Sequence, residues 1–126
     1  MVLSVNERTF TLEVLESPKP VLVHFWAPWC GLCRLINPQL AHFQVQSGGK
    51  FKLVDINADQ NFKLANAYRL TTLPTLILFE EGQILYRFDH FRGRDDLSKT
   101  LESILQSYEE RSKRQLLEAL GSHMAS

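Results

Sequence analysis

The strongest constraint on the fold of this chain is the run Val21–Trp26, which is rich in β-branched and aromatic residues. Drawn as a strand, the run is apolar on both faces, with His24 as its polar exception. A strand with one face in water would alternate apolar and polar residues, whereas a strand covered on both faces would not. The run is therefore predicted to be a central strand of a sheet that carries helices on both sides.

The segments around this strand alternate between strand and helix patterns. Strands are predicted at residues 3–5, 51–56, 75–79 and 84–88, and the last two are joined by a hairpin turn at residues 80–83. Helices are predicted after Asn6, from about Leu32 to Gln46, over Asn61–Tyr68 and from about Asp95. Pro38 is expected to kink the second helix, because it lies inside it.

The resulting order is β-α-β-α-β-α-β-β-α, which predicts a three-layer α/β/α sandwich around a mixed β-sheet. A chain of 126 residues is long enough for one domain, assigned to residues 1–108. Residues 109–120 are predicted to be a C-terminal helical extension. Residues 121–126 have the composition of a vector-derived tail. In the third helix, the residues predicted to face inward are Phe62, Leu64, Ala65 and Tyr68.

Charge and hydropathy argue against several kinds of partner. The chain has 14 Lys plus Arg and 14 Asp plus Glu, so it has no basic excess that would favour nucleic acid or anionic lipid. Its longest apolar runs are far shorter than the ~20 residues of a membrane-spanning helix. The first residues lack the pattern of a secretory signal. A cytoplasmic monomer is therefore expected.

Two cysteines, Cys30 and Cys33, lie where the predicted central strand passes into a helix. The unpaired N–H groups of a helix N-terminus favour a thiolate there. Cys30 is predicted to be the nucleophile, and Cys33, one helical turn further and more buried, to resolve the mixed disulfide. No metal site is predicted, because a zinc site would need two ligands besides the cysteines, and the chain has few other residues that could supply them. An inert, structural pair is the other alternative.

The residues around the cysteines resemble the thioredoxin family. The similarity extends from about Val5 to Leu105 and rests on several motifs: the stretch Pro20–Cys33 with its Trp-Cys-Gly-Leu-Cys sequence, Asn37-Pro38, Leu73-Pro74-Thr75, and Phe79 with Gly82. It implies a thioredoxin fold and an enzyme that reduces protein disulfides by dithiol exchange. It also implies disulfide-containing protein substrates, an upstream thiol reductase as electron donor, and no cofactor beyond the redox-active disulfide.

The resemblance also implies roles for residues near the cysteines. Pro74 would follow a cis peptide bond and face the Cys30–Cys33 pair. The backbone of Leu73 would pair with an extended segment of the substrate, as in strand addition. Pro28 and Trp29 would form part of a flat apolar contact surface.

Several positions depart from the family pattern. Leu32 stands where a proline is usual, which restores an N–H and is expected to alter the redox potential. His24 and Asp55 stand where the family usually has an aspartate and a lysine. An imidazole oriented by Asp55 could act as general base for Cys33, and a purely structural hydrogen bond is the alternative. His90 replaces a glycine beside the substrate groove, where it could alter partner choice or have no function.

Three classes of function stay open at this point. The leading one is a disulfide reductase, and the second is an oxidase, isomerase or redox sensor of shifted potential. The third is a non-catalytic docking module with a thioredoxin fold, which the presence of both cysteines disfavours. The sequence has no Gly-x-Gly-x-x-Gly fingerprint, so bound flavin or nicotinamide is not expected.

Overall fold

The computed structural model describes the backbone of residues 2–125 and the side chains of residues 2–121. Residues 2–125 contain five strands, namely β1 (Leu3–Ser4), β2 (Val21–Trp26), β3 (Lys52–Asn57), β4 (Thr75–Glu80) and β5 (Gln83–Phe88). The α-helices are α1 (Gly31–Leu35), α2 (Asn37–Gln46), α3 (Phe62–Ala67) and α4 (Arg94–Ala125). A π-helical turn at Thr11–Leu15 and a 3-10 turn at Ala58–Gln60 complete the elements.

The strands form one sheet in the order β1-β3-β2-β4-β5. β2 lies at the centre, parallel to β3 and antiparallel to β4. Its first five residues are buried, with His24 only 1% exposed. The prediction of a central strand covered on both faces is therefore confirmed.

Apolar side chains pack on both faces of this sheet. On one face, Leu22, Leu76 and Leu78 pack with residues of α2 and α4. On the other, Val23 and Ile77 pack with the π-helical turn, and α3 covers them in part. Because alternate residues of a strand point to opposite faces, β2 and β4 supply both clusters. The three-layer α/β/α sandwich with a mixed sheet is thus confirmed.

Two of the predicted helices differ in extent from the structure. The helix predicted after Asn6 forms only a π-helical turn, although the Asn6 side chain accepts hydrogen bonds from the N–H groups of Arg8 and Thr9 as a cap would. The long second helix is divided at Ile36 into α1 and α2. The break occurs because Pro38, in the first turn of α2, lacks the N–H that would continue the hydrogen bonds of α1.

The prediction that Phe62 faces inward is wrong, because its side chain is 69% exposed. The inward face of α3 is instead formed by Asn61, Leu64 and Tyr68, which follow helical spacing. Asn61 is only 5% exposed. Phe62 lies one step, about 100°, around the helix from Asn61 and points to solvent.

The last helix, α4, continues without a break past residue 108. The side chain of Arg111 donates a hydrogen bond of 2.8 Å to Glu80 at the end of β4, and Leu116, Leu117 and Leu120 are exposed. The domain division at residue 108 and the role of the extension stay predictions. In the predicted tail, Ser126 and the side chains of residues 122–125 lie outside the described part of the chain. Within residues 2–125, no helix is long and apolar enough to cross a membrane.

Candidate active site

Cys30 and Cys33 form a disulfide in which their Cα atoms are 5.3 Å apart. β2 ends at Trp26, and a turn closed by the Cys30 N–H and the Ala27 carbonyl, 3.0 Å apart, leads into α1. Cys30 is the N-cap of α1, and its sulfur accepts a hydrogen bond of 3.1 Å from the Cys33 N–H. Cys30 is 5% exposed and Cys33 is fully buried, so the two sulfurs differ in their environment.

The backbone N–H of Cys33 matters for the chemistry of Cys30. After reduction, a thiolate on Cys30 would accept this N–H, and a hydrogen bond to the charged form stabilises that form. The first turn of a helix adds partial positive charge at the same place. The strand end and the helix start therefore place the Cys30 sulfur beside an N–H donor and a partial positive charge, both of which stabilise negative charge.

The cis-proline loop lies at the same end of the sheet as the cysteines. The Leu73–Pro74 peptide bond is cis, as the family resemblance implies. Thr75, the next residue, begins β4 and pairs with Phe25 near the end of β2. Leu73 is half-buried against the core, while Thr75 donates a side-chain hydrogen bond of 2.7 Å to the Thr72 carbonyl. The loop is therefore fixed from both sides at the level of the cysteine turn.

Trp29 is a large exposed side chain next to Cys30. It is 67% exposed, and its indole Nε1 donates to the carboxylate of Asp59, with distances of 3.0 and 3.3 Å to the two oxygens. Pro28 is also exposed. The sequence prediction missed Asp59, although its position just after β3, a strand parallel to β2, places it at the sheet edge where Cys30 follows β2.

His24 and Asp55 are direct neighbours across β2 and β3. The imidazole Nδ1 and the Asp55 Oδ1 are 3.2 Å apart, and Asp55 is 27% exposed at its side chain. The other ring nitrogen, Nε2, is buried and has no hydrogen-bond partner among residues 2–121. The expected pairing of the two residues is present in the structure.

A cavity of about 240 Å³ lies between this pair and Cys33. It is lined by His24, Trp26, Cys33, Arg34, Asn37 and Asp55. A cavity of this size, with several polar side chains in its lining, has room for water. Sequence reasoning missed Arg34 and Asn37, whose positions just after Cys33 in α1 and α2 were the available signal. Residues 2–121 contain no group of three or more His, Cys, Asp or Glu side chains arranged to hold a metal ion.

His90 has a backbone conformation that favours glycine. Its φ angle is +57°, in the left-handed region, and its side chain is 70% exposed. Its Nε2 lies 3.7 Å from a carboxylate oxygen of Asp89. A Cβ atom in this region costs about 1–2 kcal/mol, so the departure from glycine carries a backbone cost.

Comparisons with known proteins place this site in a family. The sequence model of the Thioredoxin family matches residues 1–103. Thioredoxin 1 of Nostoc sp. is 43% identical over 101 residues, which cover 80% of this chain and 94% of that protein. Thioredoxin of Synechocystis sp. is 41% identical over 104 residues, covering 80% and 94%. Thioredoxin M4, chloroplastic, of Arabidopsis thaliana is 40% identical over 105 residues, covering 81% of this chain and 53% of that protein.

Replacing His90 with glycine is expected to stabilise the protein, because glycine adopts a positive φ without the clash of a Cβ atom. The free energy of unfolding, measured by urea denaturation, should rise by about 1 kcal/mol. His90→Ala is the matched control, since it removes the imidazole but keeps the Cβ atom, and it should give no gain. Equal stability of the two variants would contradict a backbone cost at this position.

Proposed function

The chain belongs to the thioredoxin family, and we propose that Cys30 and Cys33 perform its chemistry in two successive exchanges. The protein is a thiol–disulfide oxidoreductase that reduces protein disulfides. In the first exchange, the Cys30 thiolate attacks one sulfur of the substrate disulfide, forms a mixed disulfide and releases a substrate thiolate. In the second, the Cys33 thiolate attacks the Cys30 sulfur and releases the other substrate thiolate. Two electrons pass to the substrate, and the Cys30–Cys33 disulfide remains.

The observation that carries this assignment is the hydrogen bond from the Cys33 N–H to the Cys30 sulfur. It supports an acidic, nucleophilic Cys30 and a Cys33 that is held within reach of it. Cys33 is fully buried, so its sulfur is inaccessible to a partner protein, whereas Cys30 keeps a small exposed fraction of 5%. This asymmetry favours attack by Cys30 and resolution by Cys33.

We also propose that His24 is the general base for Cys33 and that Asp55 is its positioning residue. A carboxylate only accepts hydrogen bonds, so its contact with Nδ1 supports the tautomer in which Nδ1 carries the proton. Nε2 then has a free lone pair, and it is the nitrogen without a partner among the described residues. The Cys33 proton would move to Nε2, since His24 and Cys33 line the same cavity. Asp55 stabilises the imidazolium that results.

The proposed substrate surface surrounds Cys30. Trp29 and Pro28 supply exposed apolar area, and the backbone of Leu73 before the cis Pro74 would pair with an extended substrate segment. His90 would border this surface from the loop after β5. Its exposed imidazole and its costly backbone conformation support a role in partner choice.

We propose protein disulfides as substrates and a separate thiol reductase as the electron donor, with the Cys30–Cys33 pair as the redox group. We further propose a monomer in the cytoplasm, a reducing compartment in which a dithiol pair acts as a reductant. A plastid is the alternative location, since one relative is named chloroplastic. Cell fractionation with an antibody against the chain would distinguish the two locations.

The roles of the two cysteines predict opposite behaviour of their serine variants. Cys33→Ser should accumulate a mixed disulfide with a disulfide-bonded protein such as insulin, because nothing resolves it. Cys30→Ser should form none and should lose reductase activity. Mass spectrometry of the non-reduced protein after mixing measures the mixed disulfide in each variant, and an insulin-reduction assay measures the activity. Accumulation by Cys30→Ser instead of Cys33→Ser would reverse the assignment.

The proposed role of His24 predicts a pH-dependent defect in the second exchange. In His24→Ala, resolution of a preformed mixed disulfide should slow by about 10²-fold at neutral pH, a typical contribution of a general base. The defect should shrink as pH rises, because Cys33 then ionises without help. Rapid-quench kinetics across a pH series measures the rate. Asp55→Asn is the companion variant and should show a smaller defect of the same pH dependence.

A purely structural His24 would give a different pattern. The resolution rate of His24→Ala would then equal that of the original chain, or would be lowered by the same factor at every pH. Either result would reject His24 as the general base.

A further inference from the structure

We propose that Phe62 determines specificity in the disulfide-reduction reaction by binding an apolar side chain of the protein substrate. This inference rests on the proposed function and extends the substrate surface beyond the residues around Cys30. Phe62 is the first residue of α3 and is 69% exposed, about as much as Trp29 at 67%. Burial of an exposed aromatic ring against a partner is favourable, because it removes apolar surface from water.

Phe62 is connected to the active site through Asp59. The carboxylate of Asp59 accepts the indole N–H of Trp29. Phe62 follows Asp59 by three residues, so their Cα atoms lie within about 11 Å of each other. The intervening chain is a compact turn, in which the Asn61 N–H donates to the Ala58 carbonyl at 3.4 Å. The chain segment that carries Phe62 therefore directly follows the segment that binds the Trp29 indole.

The backbone on both sides of Phe62 is held by side-chain hydrogen bonds. The buried Asn61 accepts from the Glu7 N–H at 3.0 Å and donates to the Asn57 carbonyl at 2.9 Å. The carboxylate of Glu7 accepts the Lys63 N–H at 2.8 Å. A side chain presented from a fixed backbone loses less conformational entropy on binding than one on a loose loop. The fixed backbone therefore suits Phe62 to binding a side chain of the substrate.

The position of Phe62 on α3, beyond the Trp29–Asp59 contact, favours a protein as the occupant. A small disulfide can react at Cys30 without extending as far as α3. Even a transient protein partner covers several hundred Å² on each side, so we expect its footprint at Cys30 to include both Trp29 and the start of α3. A phenyl ring has no hydrogen-bonding group, so an aliphatic or aromatic side chain near the substrate disulfide is the matching group. Aromatic residues, phenylalanine among them, are enriched at the core of protein–protein interfaces.

Phe62→Ala separates protein substrates from small ones. We expect kcat/KM for insulin reduction, with dithiothreitol as electron donor, to fall about 3- to 10-fold, mainly through KM. Reduction of 5,5′-dithiobis(2-nitrobenzoate) should be unchanged, and Phe62→Leu should restore most of the loss with insulin. Val45→Ala is the matched control, because Val45 is 78% exposed in the last turn of α2, at the end of that helix away from the cysteines.

The remaining outcomes each overturn the inference. Unchanged insulin reduction by Phe62→Ala would remove Phe62 from the substrate surface while leaving the reductase function intact. Equal losses with both substrates would show that Phe62 acts through the fold. A chain that dimerises in sedimentation experiments, and becomes monomeric as Phe62→Ala, would assign the surface to a second copy. If the original chain reduced neither substrate, the proposed function would fail together with this extension.

Discussion

Burial of β2 on both faces is the constraint on which the rest of the structure depends. Because its side chains alternate between two cores, β2 requires a layer of helix on each side and a neighbouring strand at each edge. β2 ends at the edge of the sheet with Trp26, and a short turn leads from there into α1. Cys30 is therefore delivered to a helix start, beside the cis-proline loop that precedes β4. The position of the reactive site therefore follows from the burial of β2 on both faces.

The same constraint makes His24 unusual. A buried imidazole in an apolar strand loses its hydration, which is costly unless it is hydrogen-bonded. The contact with Asp55 satisfies one ring nitrogen, while Nε2 has no partner among the described residues and the ring lines the cavity shared with Cys33. An apolar residue at this position would pack without such a cost. The arrangement is explained if the free nitrogen has a proton to accept during the second exchange.

Sequence patterns predicted the structure correctly where the local preference of a segment agrees with its place in the fold. The apolar run of β2, the hairpin of β4 and β5, and the cysteine spacing all predicted the observed elements. They failed where a tertiary contact decides. Phe62 was assigned to the core because it is apolar, whereas the hydrogen bonds of Asn61 orient α3 so that the phenyl ring faces water. Asp59, Arg34 and Asn37 were missed because their roles arise from sheet order and cavity shape, which spacing along the chain does not contain.

The central claim is that Cys30 and Cys33 form a dithiol pair that donates electrons to protein disulfides. A redox titration in dithiothreitol buffers, read by tryptophan fluorescence and by mass, tests it most directly, because Trp29 lies beside the pair. A single two-electron transition at a strongly reducing potential is the predicted result. A transition at a much more oxidising potential, or no disulfide at any potential, would contradict a reductase and favour an oxidant or a protein without redox function.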